Sequence, residues 1–401
     1  MTKIFSIVTL TILVLACQTE EPNKPDKKIK SGYFTIQLHR TDETTNLDSL
    51  FNSIKASVTD SVYFYQEKNR KKIRIGFFED SFLAGQKAFT FFTNKIIRKY
   101  ELINTSNQKR VRNNFKKIYF ISVENERKSL FEYDLLKREY RLLWDKWGHD
   151  IVRLWRNKSN SIVNFSTALS LGRRAGFPFI LNAKLYSFRN NNVNLIMKYG
   201  DGLQNYSYWE NDSTFHSYYT YLDTVNSSFV YRRQNTFTSK MELVADSLER
   251  FDLLKDGFPL SINKPVELIS PDRNYEIKAS VERQVLNYSI NDIPNGISIP
   301  VVKDSLILMS VEWTPQNDFC ILSFAYESGE DSLSKLIVIN LEEKKMQNVF
   351  IQGFSADFIV HGNLVIFDEW IDNKRIMIFD YRKNSVIDMI ETRHGCGINR
   401  I

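Results

Sequence analysis

Residues 310–350, SVEWTPQNDFCILSFAYESGEDSLSKLIVINLEEKKMQNVF, carry four apolar runs divided by polar turns. The runs are Ser310 to Pro315, Phe319 to Phe324, Lys335 to Leu341 and Met346 to Phe350, each of single-strand length. The layout returns in Ser355 to Phe358, Asn363 to Phe367, Arg375 to Asp380 and Ser385 to Ile390. In both copies an apolar run closes on Asn340 or Asp380 and a polar turn leads into the next run. A spacing of about 45 residues is that of a four-stranded antiparallel unit repeated in series.

Looser copies lie upstream. Ile118 to Ser122, Leu130 to Asp134 and Tyr140 to Trp144 have the same shape, and others begin near Ile162, Tyr206 and Val266. Dividing about 285 residues by the repeat gives roughly six units. The expectation for 116–401 is therefore an all-β domain, a six-bladed β-propeller; a two-sheet sandwich is the structural alternative. Pro271-Asp-Arg-Asn-Tyr-Glu-Ile, after Ser270, resembles the Ser-Pro-Asp-Gly turn and strand of TolB-like and WD40-like propellers, and Trp313-Thr-Pro315 stands in their Trp-Ser-Pro position.

Chemistry leaves few marks on this region. The five histidines, at 39, 149, 216, 361 and 394, form no metal-ligand spacing, and there is no G-x-S-x-G elbow or phosphate loop. No catalytic residue, metal or cofactor is expected, and the propeller reads as a surface for a protein partner. The alternative is an exported propeller enzyme acting on envelope polysaccharide. His394 and Cys396 would share a strand face as a thiolate pair, or lie together by chance in the tail. Cys320, in the apolar run FCILSF, either pairs with Cys396 or is a buried thiol. The aromatic stretch Tyr206 to Tyr221 suits sugar binding and blade packing equally.

Residues 32–104 have another texture. Tyr33 to Leu38 alternates as a half-buried strand, and Leu47, Leu50, Phe51, Ile54 and Val58 make a helical stripe. Val62 to Tyr65 and Lys72 to Phe77 form a hairpin. Asp80 or Ser81 caps a helix carrying Phe82, Ala88, Phe89, Phe92 and Ile96 inward, and Tyr100 to Ile103 is a last strand. The order is β-α-β-β-α-β, an α+β split βαβ unit with two helices on one face of the sheet. By parity Tyr33, Thr35, Gln37, Tyr63, Tyr65, Lys72 and Arg74 point to the helix-free face. Rings, an amide and cations together suit a polymer of sugars or nucleotides.

The segment resembles the SPOR, or sporulation-related, domain of bacterial envelope proteins. Gln37 stands at the first-strand Gln of that family, Lys72 and Arg74 at its two basic positions, Gly76 at its glycine, Phe77-Phe78 at the following aromatic and Ala88 at the packing alanine. The likeness covers about 70 residues; Arg70 stands where the family often has an aromatic. It implies binding of peptidoglycan glycan strands stripped of stem peptides, through Tyr33, Thr35, Gln37, Tyr63, Tyr65, Lys72 and Arg74.

The first seventeen residues have a basic start, an apolar run from Ile4 to Leu15, and Val14-Leu-Ala-Cys17. A run this short is a processing signal rather than a membrane span. It resembles a bacterial lipoprotein signal, implying that Cys17 carries the lipid (palmitate) anchor; an ordinary signal peptide with an incidental cysteine is the alternative. Residues 18–31, polar and twice broken by proline, read as a tether. These features predict a lipid-anchored cell-envelope protein at the outer membrane, on its periplasmic side or the cell surface. The net charge is +7. Much of the excess lies in Lys95, Arg98, Lys99, Lys109, Arg110, Arg112, Lys116 and Lys117. In an exported protein this suggests anionic envelope material rather than nucleic acid. Residues 105–115 read as a basic linker, and a solvated linker with no partner accounts for the patch equally well.

Overall fold

A computed structural model of the chain describes residues 32–38, 46–67, 70–124, 127–169, 181–200, 202–222, 227–235, 240–245, 268–282, 285–303, 306–326, 334–352, 358–369, 375–391 and 396–397. Cys17, the tether 18–31 and His394 lie outside the described residues. Among those described, no helix is long and apolar enough to cross a membrane.

The N-terminal elements are β1 (Phe34–Leu38), α1 (Leu47–Ser57), β2 (Val62–Glu67), β3 (Arg70–Phe78), α2 (Ser81–Thr93), β4 (Tyr100–Asn104) and β5 (Arg110–Val111). They build one antiparallel sheet in the order β2-β3-β1-β4-β5. Asn46 caps α1, its side chain accepting from the backbone of Asp48 and Ser49. Asp80 caps α2 through the Leu83 N–H at 2.6 Å. Ile36, Leu38, Ile73, Ile75, Ala84, Ala88 and Phe91 close a core between the helices and one sheet face.

Six further sheets follow. β6 (Lys117–Glu124), β7 (Arg127–Asp134) and β8 (Glu139–Trp144) form the first; β9 (Asp150–Arg156), β10 (Ile162–Leu169), β11 (Leu181–Arg189) and β12 (Asn192–Gly200) the second. β13 (Gly202–Trp209), β14 (Thr214–Leu222), β15 (Ser227–Asn235) and β16 (Lys240–Ala245) form the third, and β17 (Tyr275–Glu282), β18 (Val285–Asp292) and β19 (Ile297–Lys303) the fourth. β20 (Leu306–Trp313), β21 (Phe319–Tyr326), β22 (Ser334–Asn340) and β23 (Lys345–Gln352) make the fifth. The sixth is β24 (Phe358–His361), β25 (Leu364–Glu369), β26 (Arg375–Asp380) and β27 (Ser385–Glu391). Last, β28 (Cys396–Gly397) returns to pair with β6, so the end of the chain completes the first sheet.

Among the described residues, five junctions between neighbouring sheets show a shared core. Shared cores join the first to the second, through Tyr119, Ile121, Val163 and Phe165, and the second to the third, through Leu185 and Phe215. Others join the fourth to the fifth (Ile290, Leu322), the fifth to the sixth (Ile321, Phe379) and the sixth back to the first (Ile376, Phe120). Many side chains of the third sheet, and residues 246–267, fall outside the description. Antiparallel meanders packed in this order, with the last strand completing the first sheet, make a propeller-like arrangement.

A repeated turn explains the sequence period. Asp134, Asp292, Asn340 and Asp380 each end a strand and accept a backbone N–H two or three residues on. Four residues after each stands a left-handed residue: Arg138, Gly296, Lys344 and Asn384. A second device pairs Asn157, Ser270 and Thr314 with the N–H five residues on, and with a left-handed residue three residues on: Asn160, Arg273 and Asn317. Arg273 thus occupies the glycine place of the Ser-Pro-Asp-Gly turn it resembles.

Two expectations need correction. The stretch 105–115 is not a free linker: Arg110–Val111 extends the N-terminal sheet and Phe115 is fully buried. Nor does α2 turn all its aromatics to the sheet. Phe82 and Phe89, two turns apart, pack with Phe115, Ile118, Phe120 and Leu364 on the propeller side, while Ala84, Ala88 and Phe91 on the opposite side meet the sheet. The helix is therefore apolar on both sides because it is buried on both. Cys320 is a free, fully buried thiol in the core of the fourth and fifth sheets.

His361 is the polar centre of that junction. Its Nε2–H donates to the Phe115 carbonyl at 2.5 Å, and its ring stacks on Phe115 at 4.6 Å and meets the Phe82 edge at 5.2 Å. Gly362 follows with φ +63°, and a Cβ there would stand 2.5 Å from the Phe115 ring and 2.8 Å from Gln86. Gly362→Ala should therefore lower stability by about 1–3 kcal/mol, read as a drop in the denaturation midpoint. An unchanged midpoint would show that Phe115 yields freely.

Candidate functional site

The helix-free face of the N-terminal sheet is built on one cross-strand row. Tyr63 of β2 pairs with Arg74 of β3, Arg74 with Gln37 of β1, and Gln37 with Glu101 of β4. All seven residues expected on this face are described, and strand parity sets Thr35, Gln37, Tyr63, Tyr65, Lys72 and Arg74 opposite the apolar core of Ile36, Leu38, Ile73 and Ile75. Tyr33 stands at the mouth of β1, its backbone N–H donating to Thr105 Oγ1 at 3.2 Å.

The expectation that Thr35, Gln37 and Arg74 lie open to a ligand is corrected. They are 0%, 4% and 2% exposed. Arg74 donates from Nε and Nη2 to Gln37 Oε1, at 3.1 and 2.9 Å, and from Nη1 to Gln108 Oε1 at 2.9 Å. Gln108 is fastened by its own amide to the Thr105 carbonyl at 2.7 Å. The Tyr65 ring lies over the guanidinium, 3.4 Å from its central carbon. Nearby, the Tyr63 hydroxyl donates to Thr35 Oγ1 at 3.1 Å, and that hydroxyl donates to the Ile75 carbonyl at 3.1 Å. A cation with no carboxylate among these contacts is thus held by two neutral amides beneath an aromatic ring. Burial pushes the Arg74 guanidinium below its usual pKa and the Tyr63 phenol above its own.

What remains at the surface is aromatic. Tyr63, Tyr65 and Phe77 are half-buried, and Tyr63 stacks on Phe77 at 4.9 Å with the planes 5° apart. Lys72, at the rim, pairs with Glu67. Phe77 reaches this face because of a bulge. Gly76 has φ +70°, and the β1–β3 register slips there, Phe34 facing Phe78 and Ile36 facing Ile75. After the slip Phe78 falls to the core and Phe77 to the opposite side. A glycine inside an alternating strand is the signal that could have assigned Phe77; Gln108, in a polar turn, offered none.

Elsewhere the picture is spare. The side chains of Tyr206, Tyr208, Tyr218, Tyr219 and Tyr221 lie outside those described. His216 meets Glu210 at 3.0 Å. Among the described residues, no group of three or more His, Cys, Asp or Glu could hold a metal ion.

No family model matches the chain, and no curated protein matches it. Solved structures similar to it include TolB from Acinetobacter baumannii, 10% identical, covering 85% of this chain and 82% of that one, with a TM-score of 0.39. A nidogen/laminin complex is 8% identical over 70% of this chain and 97% of that one, with a TM-score of 0.36. An oligogalacturonate lyase in complex with manganese is 8% identical over 68% and 73%, with a TM-score of 0.29. The propeller-like arrangement rests on the strand pairing and packing given above.

Proposed function

We propose that this protein is a non-catalytic, lipid-anchored component of the cell envelope, whose N-terminal sheet takes peptidoglycan glycan strands and whose propeller-like part takes a protein partner. The observation that carries the reading is the aromatic surface of Tyr63, Tyr65 and Phe77, with Tyr65 and Tyr63 held from below by buried Arg74 and Thr35. Sugar rings bind flat apolar faces, and a platform whose rings are already ordered gives up little entropy on binding. In this reading Tyr63, Tyr65, Phe77 and Lys72 touch glycan. Gln37, Thr35 and Arg74 position them, and Tyr33 borders the face. The SPOR resemblance supplies the ligand class and the signal-like start the compartment.

The test is sedimentation of the mature chain with purified sacculi, with and without amidase treatment. Wild type should co-sediment, more strongly after amidase removes stem peptides. Tyr65→Ala and Tyr63→Ala should each weaken binding by on the order of tenfold. Variants that sediment like wild type, or a wild type that stays in solution, would sink the glycan reading.

A further inference from the structure

Where the N-terminal sheet meets the first propeller sheet, two cavities of about 220 and 280 Å³ share Lys116 as a wall. Their linings bring six cationic side chains against four carboxylates, an excess of two positive charges. The crowding centres on Glu132 of β7, which is 4% exposed. Its Oε1 accepts from Lys117 Nζ at 2.5 Å and from Arg141 Nε at 3.1 Å. Its Oε2 is buried without a hydrogen-bond partner, and Arg112 Nη2 stands 3.7 Å from it, too far for a hydrogen bond. One carboxylate thus gathers three cations and can neutralise one.

The two guanidiniums also converge on a second point. Arg112 Nη2 and Arg141 Nη2 both donate to Asn191 Oδ1, at 3.3 and 3.4 Å, on the exposed tip of the β11–β12 hairpin. Two like-charged forks sharing one neutral amide oxygen leave most of their donors unused, and this is the geometry that a bidentate oxyanion satisfies. The Lys117 ammonium shows the strain of the arrangement. Burial lowers its pKa, its bond to Glu132 opposes this, and the charges of Arg112 and Arg141 lower it further.

We propose that this seam is a binding site for a phosphoryl group, whose oxygens take the place of the Asn191 amide between Arg112 and Arg141. The excess charge of two matches a phosphate dianion better than a monovalent carboxylate. The cavities leave room for a small ligand carrying the phosphoryl group. The site lies apart from the aromatic face and stands or falls independently of glycan binding. Because Arg112 belongs to the segment joining the N-terminal sheet to β6 and Arg141 to β8, a bound phosphate ties the two parts together.

Calorimetric titration of the whole chain at low salt, with inorganic phosphate, glucose 6-phosphate and glucuronate, tests this. Both phosphates, or one of them, should bind, weaken as salt is raised, and raise the thermal midpoint. Binding of inorganic phosphate alone identifies the free ion as the ligand; binding of both identifies a phosphomonoester site. Arg141→Gln and Arg112→Gln, at side chains 53% and 34% exposed, should fold normally and weaken binding tenfold or more. Arg141→Lys, keeping charge without the fork, should recover part of it. Absence of phosphate binding, equal affinity for glucuronate, or unchanged affinity in both glutamine variants would overturn the proposal.

Discussion

Acidification from pH 7 to pH 4 should cost the wild-type protein about 3 kcal/mol more stability than it costs His361→Gln. His361 is 4% exposed. Burial is the main cause that lowers its pKa from 6.5 to about 4, the charge of Arg156 adding to it, while the bond to the Phe115 carbonyl pulls the other way. The folded protein therefore keeps the ring neutral where the unfolded chain already binds a proton. A histidine depressed in this way leaves stability intact above its unfolded pKa near 6.5; the stability is lost as pH falls through the window toward 4. The glutamine variant keeps a donor for the Phe115 carbonyl and removes the titration. It will be less stable than wild type at neutral pH because it loses the stacking on Phe115. The informative quantity is therefore the change with pH, read from urea midpoints of both proteins at pH 7, 5.5 and 4. Parallel decline of the two would show that the junction does not titrate.

The location of that histidine also shows which parts of the molecule could be read from its sequence. The strand-closing Asn340 and Asp380 announced the repeat because their work is local: each side chain binds a backbone N–H two or three residues away. The alternation at 33–38 and 72–75 assigned faces correctly for the same reason, up to Gly76, where the bulge reverses parity. Phe115 and His361 escaped notice because they are 246 positions apart and acquire meaning only when α2 is packed from both sides. Arg74 misled by its type. A cation on an alternating strand reads as solvent-facing, and the fold, which brings Gln37, the Tyr65 ring and Gln108 from a distant loop around it, is what covers it. The basic stretch read as a linker because its partners lie on other strands: Arg110, Arg112, Lys116 and Lys117 each face a carboxylate of the N-terminal sheet or of β7.

Gln37→Ala should lower stability by about 2–4 kcal/mol, whereas Tyr65→Ala should cost about 1 kcal/mol. Gln37 Oε1 receives two hydrogen bonds from one guanidinium, and bonds to charged groups are worth more than neutral ones. Removing it takes two of the hydrogen bonds from the buried Arg74, leaving Gln108 and the Tyr63 hydroxyl beside it, so the cost includes a charge left poorly solvated. Tyr65→Ala removes a ring from above the same guanidinium but opens it to water, which compensates. Gln37→Glu keeps the acceptor and adds a charge, and should stay within about 1 kcal/mol of wild type. Measured by urea denaturation, this order of effects separates the support of the face from its surface. A tyrosine variant that remains folded and no longer sediments with sacculi loses a ligand contact; a Gln37→Ala variant that fails to sediment has lost the platform itself. If Gln37→Ala were as stable as wild type, the buried amide–guanidinium network would not be what orders the rings, and the case for a preformed glycan face would go with it.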